Sequence, residues 1–97
     1  MMVTTKVFVM ANSEIPAGWS EIEVGGIPQL QKLYQFKNFV EALAFTNKIG
    51  ELAESFNHHP ALTTEWGKVR VCWWTHTEKG ISQLDIEMAR RCNEIQP

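Results

Sequence analysis

The sequence predicts an α+β fold, a four-stranded antiparallel sheet with helices packed on one face, in the order strand, strand, helix, strand, strand, helix. Two stretches of alternating hydrophobicity each read as a hairpin, and one long stretch between them repeats its apolar residues at helical spacing. No strand-helix-strand unit recurs to demand parallel strands. At 97 residues the chain, 1–97, has room for one compact domain with a modest core and not for two.

The N-terminal element is the least defined: Lys6 to Ala11 is an apolar run of no clear period, and Asn12 to Gly18 reads as a loop. Trp19 to Val24 reads as a short strand, Gly25-Gly26 as the turn, and Leu30 to Phe36 as the return strand, with Pro28 at its edge where a missing amide donor is tolerable. Asn38 followed by Glu41 has capping-box spacing, and Phe39, Leu43, Phe45, Ile49, Leu52, Ala53 and Phe56 then predict a helix from Phe39 to Phe56. Gly50 inside it costs about 1 kcal/mol against Ala, which points to close packing against a neighbour.

Pro60 is expected to drive the chain out of that helix directly after a histidine pair. Leu62 to Glu65 and Lys68 to His76 then form the second hairpin, with Trp66-Gly67 reversing the chain and Gly67 free to take positive φ. Val69, Val71 and Trp73 share one face of the long strand and Arg70, Cys72, Trp74 and His76 the other. Lys79-Gly80 breaks the pattern, and Ser82 with Asp85 opens a last helix carrying Leu84, Met88, Ala89 and Ile95.

The formal charge of -2, with Lys and Glu interspersed, gives no basic stripe for nucleic acid and no patch for an acidic membrane. The N-terminal apolar run is too short for a signal peptide or a membrane span, so a cytoplasmic protein is expected. Cys72 and Cys92 have no C-x-x-C spacing and read as reduced, packed thiols.

The chemistry concentrates in the histidines. Glu54 and His58 are four apart at the helix end and should share a face, with His59 and Pro60 following, so two imidazoles are presented at a helix exit beside a carboxylate. Histidine gives or accepts a proton near neutrality, and a carboxylate fixes its tautomer and stabilises its cation. His76, at the end of the long strand, joins the site if the two segments meet. Taken singly, each imidazole is more often a hydrogen-bonded turn residue, Asp85 sits where a capping acid belongs, and Trp66, Trp73 and Trp74 suit core or interface packing.

The run Glu54-x-x-x-His58-His59-Pro60, then Trp66, Val69-x-Val71, Thr75-His76, Gly80 and Asp85, resembles the signature of the pterin-4a-carbinolamine dehydratases. Tyr34-x-Phe36-Lys37-Asn38-Phe39 and Glu41-Ala42-Leu43-Ala44-Phe45 resemble the same family, so the likeness runs from about Trp19 to the last helix. The resemblance implies a metal-independent hydro-lyase that dehydrates 4a-hydroxytetrahydropterin to quinonoid dihydropterin, recycling the pterin of aromatic amino acid hydroxylases, with no cofactor. It implies a homodimer or homotetramer, with His58, His59 and His76 lining the pterin pocket, Glu54 and Asp85 as their acidic partners, and Pro60 and Trp66 in support. Acid and base are not assigned among the three histidines.

Animal members carry an aromatic residue two positions after the proline, where this chain has Leu62, so any stacking role there is absent or moved. Members also commonly begin with a helix, whereas Lys6 to Pro16 is short and not helical in pattern. The alternative reading is a non-catalytic protein-binding or dimerisation module of the same fold, since some members stabilise the dimer of a homeodomain transcription factor. A zinc-dependent hydrolase ranks last, because adjacent histidines are unusual metal ligands.

Overall fold

The computed structural model describes residues 14–95, so the expectations for Lys6 to Ser13 lie outside the described residues. The strands β1 (Ser20–Val24) and β2 (Ile27–Gln35) precede a helix α1 (Phe39–Phe56); β3 (Ala61–Glu65), β4 (Lys68–Trp73), a short 3₁₀ turn (His76–Glu78) and a helix α2 (Gln83–Glu94) follow. The four strands form one antiparallel sheet in the order β1-β2-β4-β3.

Register explains which side is covered. Leu30, Lys32 and Tyr34 of β2 stand opposite Trp73, Val71 and Val69 of β4. All of these but Lys32 are buried, together with Ala42, Phe45, Ile49 and Ala53 of α1 and Ile86, Met88, Ala89 and Cys92 of α2. Both helices therefore pack on one face of the sheet, as the alternation predicts. Four fully buried large side chains, Trp73, Phe45, Leu30 and Ile49, join sheet to helix. Each such burial stabilises the fold by about 1.5–3 kcal/mol relative to exposure.

The two hairpins turn by different means. Gly25 and Gly26 both take positive φ, 58° and 83°, as a twisted two-residue hairpin turn requires. Gly67, expected to use the same freedom, is not among the positive-φ residues. Its need is steric: a Cβ there would sit 3.2 Å from the Phe36 carbonyl oxygen, and Gly67 accepts the Phe36 N–H at 2.8 Å.

Strand β4 stops at Trp73, three residues short of the expected end at His76. Its last partner in β2 is Leu30, and Pro28, two residues nearer the turn, has no N–H to extend the ladder. The chain instead closes on itself, Thr75 donating to the Gly80 carbonyl at 2.8 Å, with His76–Glu78 as the 3₁₀ turn and Lys79 in the left-handed region.

Helix α1 begins as expected, Asn38 accepting the Glu41 N–H at 2.9 Å. The reciprocal arm goes one residue further back, Glu41 accepting from Lys37 N–H rather than from Asn38. Its end departs from expectation more sharply. Asn57 takes φ 52°, its N–H bonds to Glu54, and the His58 N–H reaches back to Ala53 at 3.1 Å. This is a Schellman closure with Asn at the left-handed position, so the helix ends before the histidines and Pro60 does not end it. Gly50 is also corrected: a Cβ there would meet nothing within 4 Å, so no protein neighbour requires the glycine.

Candidate active site

The left-handed Asn57 turns the backbone so that consecutive histidines part company. His58 enters the fold, its ring stacked on Trp73 at 5.6 Å with an interplanar angle of 13°. Its Nε2 lies 2.6 Å from Asp85 Oδ1, and its side chain is 13 % exposed against 0 % for Asp85. His59 stays outside, 54 % exposed, with Nε2 2.7 Å from Glu54 Oε2. The expected pairing is therefore exchanged. Glu54 and His58 are four apart in sequence, but His58 is no longer helical, and Glu54 meets the next residue instead.

An ionised carboxylate only accepts, so in each pair Nε2 is the protonated nitrogen and Nδ1 is left as the acceptor of the neutral ring. Glu54, His59, Pro60 and Leu62 border an open hollow of about 920 Å³ between α1 and the edge strand β3. That size suits a bicyclic heterocycle carrying a side chain. Gly50 forms part of the hollow's wall, and its missing side chain leaves that wall bare helix backbone. Leu62, where any aromatic stacking role is expected to be absent or moved, contributes an aliphatic surface to the same hollow.

Asp85 is held from several sides. Its Oδ2 accepts from Ser82 N–H at 2.8 Å, Thr75 Oγ1 at 2.7 Å and Ser82 Oγ at 3.2 Å, while Oδ1 faces His58. The capping role and the histidine-partner role thus belong to different oxygens of one carboxylate. Either reading of Asp85 alone is incomplete.

His76 occupies the exposed 3₁₀ turn, stacked on Trp74 at 4.8 Å. Its connection to the histidine pair is indirect, through its neighbour Thr75 and Asp85 to His58. Trp66 projects at the β3–β4 turn, 69 % exposed, and is not among the residues bordering the hollow. The structure brings Glu54 to His59 and Asp85 to His58; it does not bring Trp66 to them. Three contributors were not read as site residues: Thr75, whose hydroxyl no periodicity marks; Gly50, whose use is visible only once the space beside it is known; and Asn57, whose tolerance of the left-handed region was the available signal.

Among the described residues, no group of three or more His, Cys, Asp or Glu side chains gathers as a metal ion would require. Each imidazole near the helix end has a carboxylate of its own, which separates the ligands that a zinc site would need together. No helix among the described residues is long and apolar enough to cross a membrane.

The chain is similar in sequence and in fold to known proteins. A family model described as pterin 4 alpha carbinolamine dehydratase matches residues 4–95. A protein of Hahella chejuensis provisionally named a pterin-4-alpha-carbinolamine dehydratase is 53% identical over 83 residues, covering 86% of this chain and 73% of the relative. A Microcystis aeruginosa protein with the same provisional name is 52% identical over 93 residues, covering 96% and 79%. Among solved structures, a transcriptional coactivator/pterin dehydratase from Brucella melitensis superimposes with a TM-score of 0.74 at 32% identity, covering 90% of this chain and 89% of that one.

Proposed function

This chain belongs to the pterin 4 alpha carbinolamine dehydratase family, and from its paired imidazoles and carboxylates we propose that it dehydrates 4a-hydroxytetrahydropterin to quinonoid dihydropterin by histidine acid/base catalysis. The single observation that carries the reading is the pair of adjacent histidines, each with its own carboxylate at 2.6 and 2.7 Å, one partly buried against a fully buried Asp85 and one bordering a hollow of fitting size.

The reaction needs two proton transfers and no redox step. The bond from ring carbon 4a to its hydroxyl breaks as an acid protonates the departing oxygen, which leaves as water. A base takes the proton from the neighbouring ring nitrogen, and the electron pair of that N–H bond becomes the new carbon–nitrogen double bond. An imidazole used once as acid and once as base is returned to its starting state by exchanging the proton. His59, with Nδ1 unclaimed by Glu54, is the group at the hollow best suited to one transfer; His58 and His76 are the candidates for the other. Asp85 and Glu54 stabilise an imidazolium when it forms, and Pro60 and Leu62 present apolar surface to the flat ring.

The reading extends to a metal-independent hydro-lyase acting in the cytoplasm, in the service of an aromatic amino acid hydroxylase. Exposed Phe39, Leu43 and Val40, the last 74 % exposed, lie on the outer side of α1 and suit a homodimer or homotetramer. Fresh 4a-hydroxytetrahydropterin mixed rapidly with the protein should lose water in a saturable manner, faster than it does spontaneously and equally well after chelator treatment. A rate indistinguishable from the spontaneous one would end the proposal. The same outcome with a defined hetero-complex would favour the alternative, a protein-binding module, to which the coactivator part of the Brucella protein's name gives its specific support.

A further inference from the structure

The hydroxyl of Thr75 is not explained by packing. A valine would fill the same volume, and the backbone bridge between Thr75 and Gly80 uses only main-chain groups. Nor does the cap of α2 need it, since Ser82 N–H already binds Asp85 Oδ2 at 2.8 Å. Yet Thr75 Oγ1 lies 2.7 Å from Asp85 Oδ2 and 2.7 Å from Ser82 Oγ. Asp85 itself is fully buried, whereas a carboxylate that only caps a helix is ordinarily left at the surface.

The geometry points to Thr75 as a positioning residue that acts through Asp85 on His58, and this inference rests on the dehydratase reading. Oδ2 is gripped from two segments, the turn after β4 and the start of α2, so rotation of the carboxylate about its last bond is blocked. Oδ1 is thereby presented to His58 Nε2 at 2.6 Å, and the imidazole is fixed as the Nε2–H tautomer with Nδ1 as its acceptor. The backbone of the same residue donates to Gly80 and closes the turn that carries His76. One residue thus joins the two histidine-bearing segments, which share no direct contact of their imidazoles.

The test compares Thr75→Val, which removes the hydroxyl at constant volume, with Thr75→Ser, which keeps it. Two readouts are taken: turnover of 4a-hydroxytetrahydropterin, and the nitrogen-15 and Nε2 proton resonances of His58 in ligand-free protein. Thr75→Val should lower kcat by about tenfold with little change in KM, as loss of a hydrogen bond to a charged group does. It should also move the His58 ring nitrogens toward a mixture of tautomers and shift the Nε2 proton upfield, with Thr75→Ser restoring both. Wild-type kcat in Thr75→Val, or a fall in kcat with the His58 resonances unmoved, overturns the inference.

Should Thr75→Val fail to fold, Thr75→Ala decides, because it removes the hydroxyl without placing a second methyl group against Asp85 Oδ2. It should move kcat and the His58 resonances in the same direction, and unchanged His58 resonances would again overturn the inference. If wild-type protein does not turn over the pterin, the dehydratase reading fails, and the His58 resonances alone decide whether Thr75 sets the imidazole.

Discussion

Asp85 is the residue on which local structure and chemistry depend together. It reaches back to Ser82 N–H as a capping acid and meets His58 with its other oxygen, all while fully buried. Asp85→Asn should therefore cost about 1–3 kcal/mol, the range for leaving a buried hydrogen-bonding group mismatched, read as a lower urea midpoint at unchanged slope. An amide presents only one accepting oxygen, so if that oxygen keeps the cap, the amide N–H faces His58 and is satisfied only by the opposite imidazole tautomer. The sequence marked Asp85 for both duties by its three-residue spacing from Ser82 and its place in the dehydratase-like signature. The expected Glu54–His58 pairing does not form, because four-residue spacing predicts a contact only while the chain stays helical. The left-handed Asn57 intervenes, and Asn in that role was the signal to weigh.

At the scale of elements, strands and helices were legible wherever alternation or helical spacing was strong. The buried set Val69, Val71 and Trp73 is the face expected of β4. The ends were less legible because they depend on partners: β4 stops where β2 runs out of pairing positions toward Pro28, which no local pattern in residues 68–76 announces. Gly50 belongs at this scale too. A helix-interior glycine facing open space stabilises nothing, so Gly50→Ala should raise stability by about 1 kcal/mol, seen as a higher melting temperature. A pterin seated in the hollow would meet the new methyl group, and KM should rise in the same variant. A higher melting temperature with unchanged KM would place the substrate away from α1.

For the whole molecule, one face of the sheet carries both helices and the core that seals Cys92, while Cys72 is a free thiol buried on the other face. Burial pushes the Cys92 thiol up to about 11 from the ordinary 9.0, the Lys32 charge opposing, and burial also pushes Cys72 up. Folding thus favours the neutral thiol of Cys92. Its contribution to stability is complete below pH 9.0 and is lost as pH rises through about 11. A thiol-specific reagent at pH 8 should label neither cysteine in folded protein and both after denaturation; rapid labelling of the native state would contradict the packing.

The fold was readable because the hydrophobic periods of the strands and helices agree with one another. The site was readable only in composition, since which carboxylate serves which histidine is set by a single backbone conformation. The central claim is that His59, beside Glu54 at the hollow, transfers a proton during dehydration. Rapid-mixing turnover of 4a-hydroxytetrahydropterin by wild type and His59→Ala tests it most directly. The expected result is a fall of about 10² to 10⁴ in the catalysed rate with the melting temperature little changed, because the His59 side chain is half exposed. Equal rates for the two proteins would contradict it.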